Sequence, residues 1–173
     1  MNDLSSSTQD QLVSTLNVLS VPFVNGGSCN AALLTPVELI AGLSMQDNAR
    51  MRLALIPLLL SRPDLADAAA EAARHLSGLA SIHLMLYYTA ATCLQKIYQS
   101  QLKELLGEQP QLPEIFNRKL YIQPNISPEF TLTKLGEVHT QFTGIKANWV
   151  GTYHHGAKRL IKRLQCEIAW GIR

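Results

Sequence analysis

The sequence predicts an all-α protein, an irregular multi-helix bundle in which a proline-rich connector precedes a C-terminal helical pair. Three observations lead there. Apolar residues recur at steps of three and four along much of the chain, the spacing that gathers them on one face of a helix. Residues suited to capping stand just before several of these stretches. Pro110, Pro113, Pro124 and Pro128 crowd into the window from Gly107 to Pro128, and a ring that fixes φ and removes the N–H donor interrupts helices.

The elements follow in chain order. Leu12, Val13, Leu16 and Leu19 predict a short amphipathic helix over residues 10–19. Asn25-Gly26-Gly27 reads as a turn, because glycine enters positive φ without a Cβ clash. Thr35-Pro36-Val37-Glu38 is a helix start: a capping threonine, a proline at the first helical position and a glutamate three residues after the cap. That helix should end near Gly42-Leu43-Ser44. Asp47 is expected to cap the next one, running through Arg50 and Arg52 to Leu60, with a kink or break close to Pro57. Ser61-Arg62-Pro63-Asp64 opens an alanine-rich helix from Leu65 to Leu76. This tandem resembles the helical hairpin of stacked-helix repeats, but one pair is not an array.

Ser77-Gly78 forms a joint. Leu79, Ile82, Leu86, Ala90, Cys93 and Ile97 then predict one continuous helix from Leu79 to Leu106, stopped by Gly107. Inside the connector, Lys119-Leu120-Tyr121-Ile122 reads as a brief strand. Two helical segments close the chain, Glu129 to Phe142 and Gly144 to Trp170. In the second, Ile145, Trp149, Tyr153, Ala157, Leu160, Ile161, Leu164 and Ile168 form an apolar stripe. His155, Lys158, Arg159, Lys162 and Arg163 take the other side.

A chain of 173 residues suits a single domain, with a sub-boundary at residues 107–128. Apolar residues make up 47% and charged residues only 16%, well below the customary quarter. So little charge implies a large interior or a surface covered by another protein. The net charge of +2 conceals an asymmetry. Residues 134–173 hold seven basic and two acidic residues, while the rest holds eight basic and eleven acidic. That imbalance points to an acidic partner.

Cys29, Cys93 and Cys166 are scattered and form no Cys-x-x-Cys pair, which reads as free thiols in a reducing, cytoplasmic setting. The first residues lack the basic region and apolar run of a secretory signal. The most apolar stretch, Leu79 to Leu94, is too short for a membrane span and carries His83, Tyr87, Tyr88 and Thr92.

Several motifs were weighed for chemistry. Phe23-Val24-Asn25-Gly26-Gly27-Ser28 resembles the opening of a nucleotidyltransferase site, but the paired acids that would hold two Mg²⁺ ions about ten residues later are missing. The Gly-Lys-Ser/Thr ending of a phosphate-binding loop is also absent. No His-Glu-x-x-His or Cys/His spacing offers a zinc site, and adjacent His154 and His155 diverge by about 100° on a helix. No catalytic set, metal or cofactor is therefore expected.

The remaining candidate is the last helix. Gly151 and Gly156 each cost a helix about 1 kcal/mol relative to alanine, which suggests a close approach by another group. Trp149 and Tyr153 suit core packing. Asn148, Thr152, His155 and Arg159 suit a recognition surface. Lys158, Arg159, Lys162 and Arg163 form two i, i+4 basic pairs that suit phosphate, an acidic protein or plain solvation.

Tyr87-Tyr88-Thr89-Ala90-Ala91, Asn148-Trp149 with Gly151-Thr152-Tyr153, and Arg52-Leu53-Ala54-Leu55-Ile56 with Arg62-Pro63 resemble three short segments of a known group. These are the small helical partner proteins of prokaryotic minimal nucleotidyltransferases, found in two-gene, toxin–antitoxin-like modules. The resemblance implies a non-catalytic or regulatory partner subunit. The ribonuclease motif of the best-known helical partners, an arginine, then four to six residues, then a histidine, is lacking. The leading expectation is a protein-interaction subunit that binds another protein or itself. The alternatives are a nucleic-acid-binding module using Lys158, Arg159, Lys162 and Arg163, and an RNA-cleaving toxin using His154 or His155. Asn148, Thr152, His155, Lys158, Arg159, Lys162 and Arg163 are the expected partner- or phosphate-binding residues.

Overall fold

The computed structural model describes residues 3–21, 32–123 and 126–172, with side chains from residue 8 onward. The Asn25-Gly26-Gly27 turn, the Gly-Gly-Ser motif and Cys29 lie outside the described residues. The fold is all-α, with no strand among the described residues.

Helix α1 (Asp3–Val18) buries Leu12, Val13 and Leu16, as its spacing predicts. Helix α2 (Pro36–Ser44) starts on a complete capping box. The Thr35 hydroxyl accepts from the Glu38 backbone N–H at 3.3 Å, and the Glu38 carboxylate accepts from the Thr35 N–H at 2.8 Å. Those two bonds satisfy donors that a helix start leaves open. The Thr35 N–H, and after it the Thr35 hydroxyl, donate to the Glu38 carboxylate and hold it below its ordinary range.

Helices α3 (Ala49–Leu53) and α4 (Leu55–Ser61) replace the single helix expected there. Asn48 rather than Asp47 caps α3, its Oδ1 accepting from the Arg50 N–H at 2.9 Å. The break at Ala54 has a local cause: Pro57 has no N–H to give the carbonyl of Leu53, four residues back. A 3₁₀ turn (Pro63–Leu65) leads into α5 (Ala66–His75), with Arg62 donating twice to Asp64.

The long helix expected from Leu79 to Leu106 is two. Helix α6 (Gly78–Ile97) ends at Tyr98, which leaves helical geometry, and α7 (Gln99–Leu106) follows. Helix α6 also departs from the one-stripe reading. His83, Leu84 and every residue from Leu86 to Gln95 is buried, so the helix is enclosed on all sides. It packs against α2, α4, α5, α8 and α9, which makes it the central element.

The connector after Gly107 is pinned to α6. Tyr88 donates to the Pro113 carbonyl at 3.1 Å, and the Gln95 amide donates to the Pro110 carbonyl at 3.0 Å while accepting from the Leu112 N–H at 2.7 Å. Leu112, Phe116 and Leu120 join the core. Lys119 to Ile122 is a turn, not a strand. With no neighbouring strand to pair with, its N–H groups bond locally, Leu120 to Phe116 and Ile122 to Asn117.

Helix α8 (Pro128–Thr143) ends on Gly144 at φ +68°, where a side chain would be strained. Helix α9 (Trp149–Ala169) therefore begins five residues later than expected. Its stripe is buried from Trp149 to Leu164, whereas Ile145 and Ile168, at the ends, are 55% and 46% exposed. One hydrophobic cluster runs from Leu12 to Leu164. No helix is long and apolar enough to cross a membrane.

Candidate functional site

The two glycines of α9 have different causes. At Gly156 a Cβ would lie 3.3 Å from Ile56 and Leu53, so the glycine lets α9 press onto α3 and α4. At Gly151 the nearest atoms belong to Asn148, which caps α9. Its Oδ1 accepts from the Gly151 N–H at 2.8 Å, and the Thr152 hydroxyl donates to the Asn148 carbonyl at 3.0 Å. Asn148 and Thr152, expected in a recognition surface, complete the start of the helix and lie outside the cleft lining.

The other five predicted residues converge. His155, Lys158, Arg159, Lys162 and Arg163 line a cleft of about 700 Å³. Among the described residues its other lining comes from Arg50 on α3, Pro57 on α4, Val21 just after α1, and Leu160. Arg50 was not foreseen as part of this group, because nothing in the sequence says that α3 faces α9. The close approach at Gly156 brings it there.

Five cations thus share one recess. Arg163 pairs with Glu167 at 2.6 Å and also donates to the Ser20 carbonyl at 3.4 Å. Among the described residues no ion pair holds Arg50, Lys158 or Lys162. Outside the cleft Arg62, Arg74, Lys96, Lys103 and Lys134 each meet a carboxylate, while Arg118, Lys119 and Lys146 have no ion pair among the described residues. Cations gathered without matching carboxylates repel one another and attract an anion that supplies the missing charge.

His154 does not share the cleft. Its Nδ1 meets the Tyr98 hydroxyl at 2.9 Å with the rings edge to face. Burial, and then the charge of Lys158, lower its pKa, with Glu129 opposing. His155 alone of the adjacent pair faces the cleft.

A second polar grouping lies inside the core, and the sequence analysis missed it. His139 is fully buried, stacks on Trp149 with ring centres 3.5 Å apart, and bonds through Nδ1 to the Tyr153 hydroxyl at 2.8 Å. Tyr87 packs edge-on against both His139 and Tyr153. Burial, followed by the charges of His83 and Arg52, pushes the His139 pKa down to about 3, so the ring is neutral near pH 7. Burial and Arg52 likewise lower that of His83.

Arg52, itself 8% exposed, donates to the carbonyls of Gln46 and Asp47, the latter at 2.9 Å. Carbonyls beyond the C-terminal end of α2 offer it partial negative charge in place of a carboxylate. Arg52 Nε, the Tyr87 hydroxyl and His139 Nε2 have no well-formed hydrogen bond among the described residues. The grouping is closed to solutes, so it supports the fold rather than touching a ligand. No cluster of three metal-binding side chains occurs among the described residues.

Compared with family models, curated proteins and solved structures, the chain matches none.

Proposed function

We propose that this chain is a nucleic-acid-binding module whose cleft receives a phosphodiester backbone. The convergence of Arg50, Lys158, Arg159, Lys162 and Arg163 on one recess carries this reading. Phosphate contacts supply most of the affinity of such complexes, and lysine and arginine are the residues that make them. Along α9 the cations repeat every four residues, one helical turn, which gives a repeating ligand successive points of attachment. No covalent chemistry is part of this role.

The test is binding of a labelled oligonucleotide followed by anisotropy across a salt series. Affinity should fall steeply with salt, by about 0.7 in logarithmic slope for each phosphate neutralised on a single strand. The double variant Lys158→Glu/Lys162→Glu should lose binding and flatten that slope. A wild-type protein that stays free at low salt would remove the proposal.

A second reading draws on a different surface. Leu120, Tyr121, Ile122, Ile126, Phe130 and Val138 line a largely apolar groove of about 500 Å³. Tyr121 is 94% exposed and Phe130 50%. Large apolar side chains left in water support a protein-docking role, in line with the regulatory partner subunit implied by the sequence resemblance. Light scattering compared between wild type and Phe130→Asp tests self-association, and co-purification of the same pair tests a foreign partner.

A further inference from the structure

We infer that the cleft takes a single strand rather than a duplex, and that Trp170 stacks a base where the cleft wall ends. This rests on the nucleic-acid reading above and adds to it the class of ligand. Two geometric observations carry it.

The first concerns the position of the charges. A helix that reads duplex DNA must stand out far enough to enter the major groove. The basic face of α9 does the opposite. It forms one wall of a recess lined, among the described residues, also by Arg50, Pro57 and Val21, so a duplex groove cannot close around it. A single strand can lay its phosphates along such a recess and leave its base faces free to stack beyond it.

The second concerns Trp170. It follows α9 directly and is 75% exposed. Seven residues separate it from Arg163, close to two helical turns, so it stands within about 20° of the same line and about 10 Å further along the axis. Arg159, Arg163 and Trp170 thus follow one track, with Glu167, the partner of Arg163, between the last two. An exposed indole in line with a row of cations offers a stacking surface for a base whose phosphates lie on that row. The other tryptophan cannot serve: Trp149 is 6% exposed, lies against His139 and donates its N–H to the Ile145 carbonyl.

The experiment titrates the full chain with a short mixed-sequence oligonucleotide in single-stranded and duplex forms, as DNA and as RNA. Tryptophan emission and anisotropy are read together. The expected result is preference for the single strand and quenching of emission on binding. Trp170→Ala should weaken single-strand binding about tenfold, with Trp170→Phe recovering most of it while abolishing the quench. Circular dichroism confirms that both exposed-site variants fold.

If Lys158→Glu/Lys162→Glu abolishes binding while Trp170→Ala changes nothing, the stacking inference falls and the nucleic-acid reading stands. Equal or tighter duplex binding also overturns the inference. If the charge reversal leaves binding intact, the parent reading fails with it. Polyglutamate competing as well as the oligonucleotide would mean that the cleft recognises an acidic chain instead, and would end both.

Discussion

Two faces of one helix separate the exposed cleft from the buried polar grouping. Outward, α9 presents His155, Lys158, Arg159, Lys162 and Arg163 to a recess open to solvent. Inward, it buries Trp149 and Tyr153 against His139 and Tyr87. Basic groups occur in both places and behave differently. In the cleft, water can solvate each charge, so several cations coexist without matching carboxylates. In the core, desolvation penalises charge, so His139 is held neutral and Arg52 is met by backbone carbonyls. The outer face therefore has charge available for a ligand, whereas the inner one spends its polar groups on holding helices in register.

That contrast can be broken from either side. The largest expected effect is on the outer face: Lys158→Glu/Lys162→Glu should reduce oligonucleotide affinity at low salt by a hundredfold or more, roughly 3 kcal/mol. Urea denaturation should find the stability of this variant within about 0.5 kcal/mol of wild type, as befits exposed positions.

On the inner face the ordering reverses. Tyr153→Phe removes the hydroxyl that meets His139 Nδ1. It should cost about 1–3 kcal/mol by urea denaturation, because the imidazole keeps a buried polar atom without a partner. Adding His139→Leu should recover part of that loss, since removing both members of a buried polar pair costs less than orphaning one. A double variant as destabilised as the sum of the two single ones would show that the pair acts through packing alone.

Acid should also separate the two faces. The fold holds His139 near pKa 3 against an ordinary 6.5, so the unfolded chain takes up a proton that the folded chain refuses. Stability is full above about pH 6.5 and declines as pH falls toward 3, by up to about 1.4 kcal/mol per unit for this group. His83, lowered for the same reason, adds to the decline. Denaturation midpoints at about pH 7 and about pH 5 should differ, and His139→Leu should narrow the difference. An unchanged gap in that variant would assign the pH dependence to other groups.

The smallest effect sharpens the boundary of the cleft. Asn148→Ala removes the cap of α9 and should cost about 1 kcal/mol of stability. Oligonucleotide affinity should not change, because Asn148 lies at the start of the helix and outside the cleft lining. Weakened binding in a stably folded variant would return Asn148 to the recognition surface.

Much of this architecture is written in short-range signals. The Thr35–Glu38 capping box, the apolar face of α1 and the break before Pro57 each depend on residues within one or two turns, and each is visible in the order of the chain. The basic side of α9 is legible for the same reason, since 3.6 residues per turn assigns each residue to a face. Errors occur where local signals compete with distant ones. Asp47 and Asn48 are both able to cap, and only the backbone path selects Asn48. Tyr98 ends α6 while its ring reaches His154, 56 residues away. Lys119 to Ile122 has strand-like composition but no strand to pair with.

The sequence by itself determined the helical class, the starts of α2, α5, α6 and α8 to within a residue, and the cationic side of the last helix, because periodicity and capping act over a few residues. Only the tertiary structure decided that Arg50 joins those cations across the cleft, and that His139, Tyr87, Tyr153 and Arg52 meet in the core. These groupings depend on how closely helices from distant parts of the chain approach, as α9 does over Ile56 at Gly156. Such an approach is fixed by the packing of whole surfaces, which no local pattern encodes.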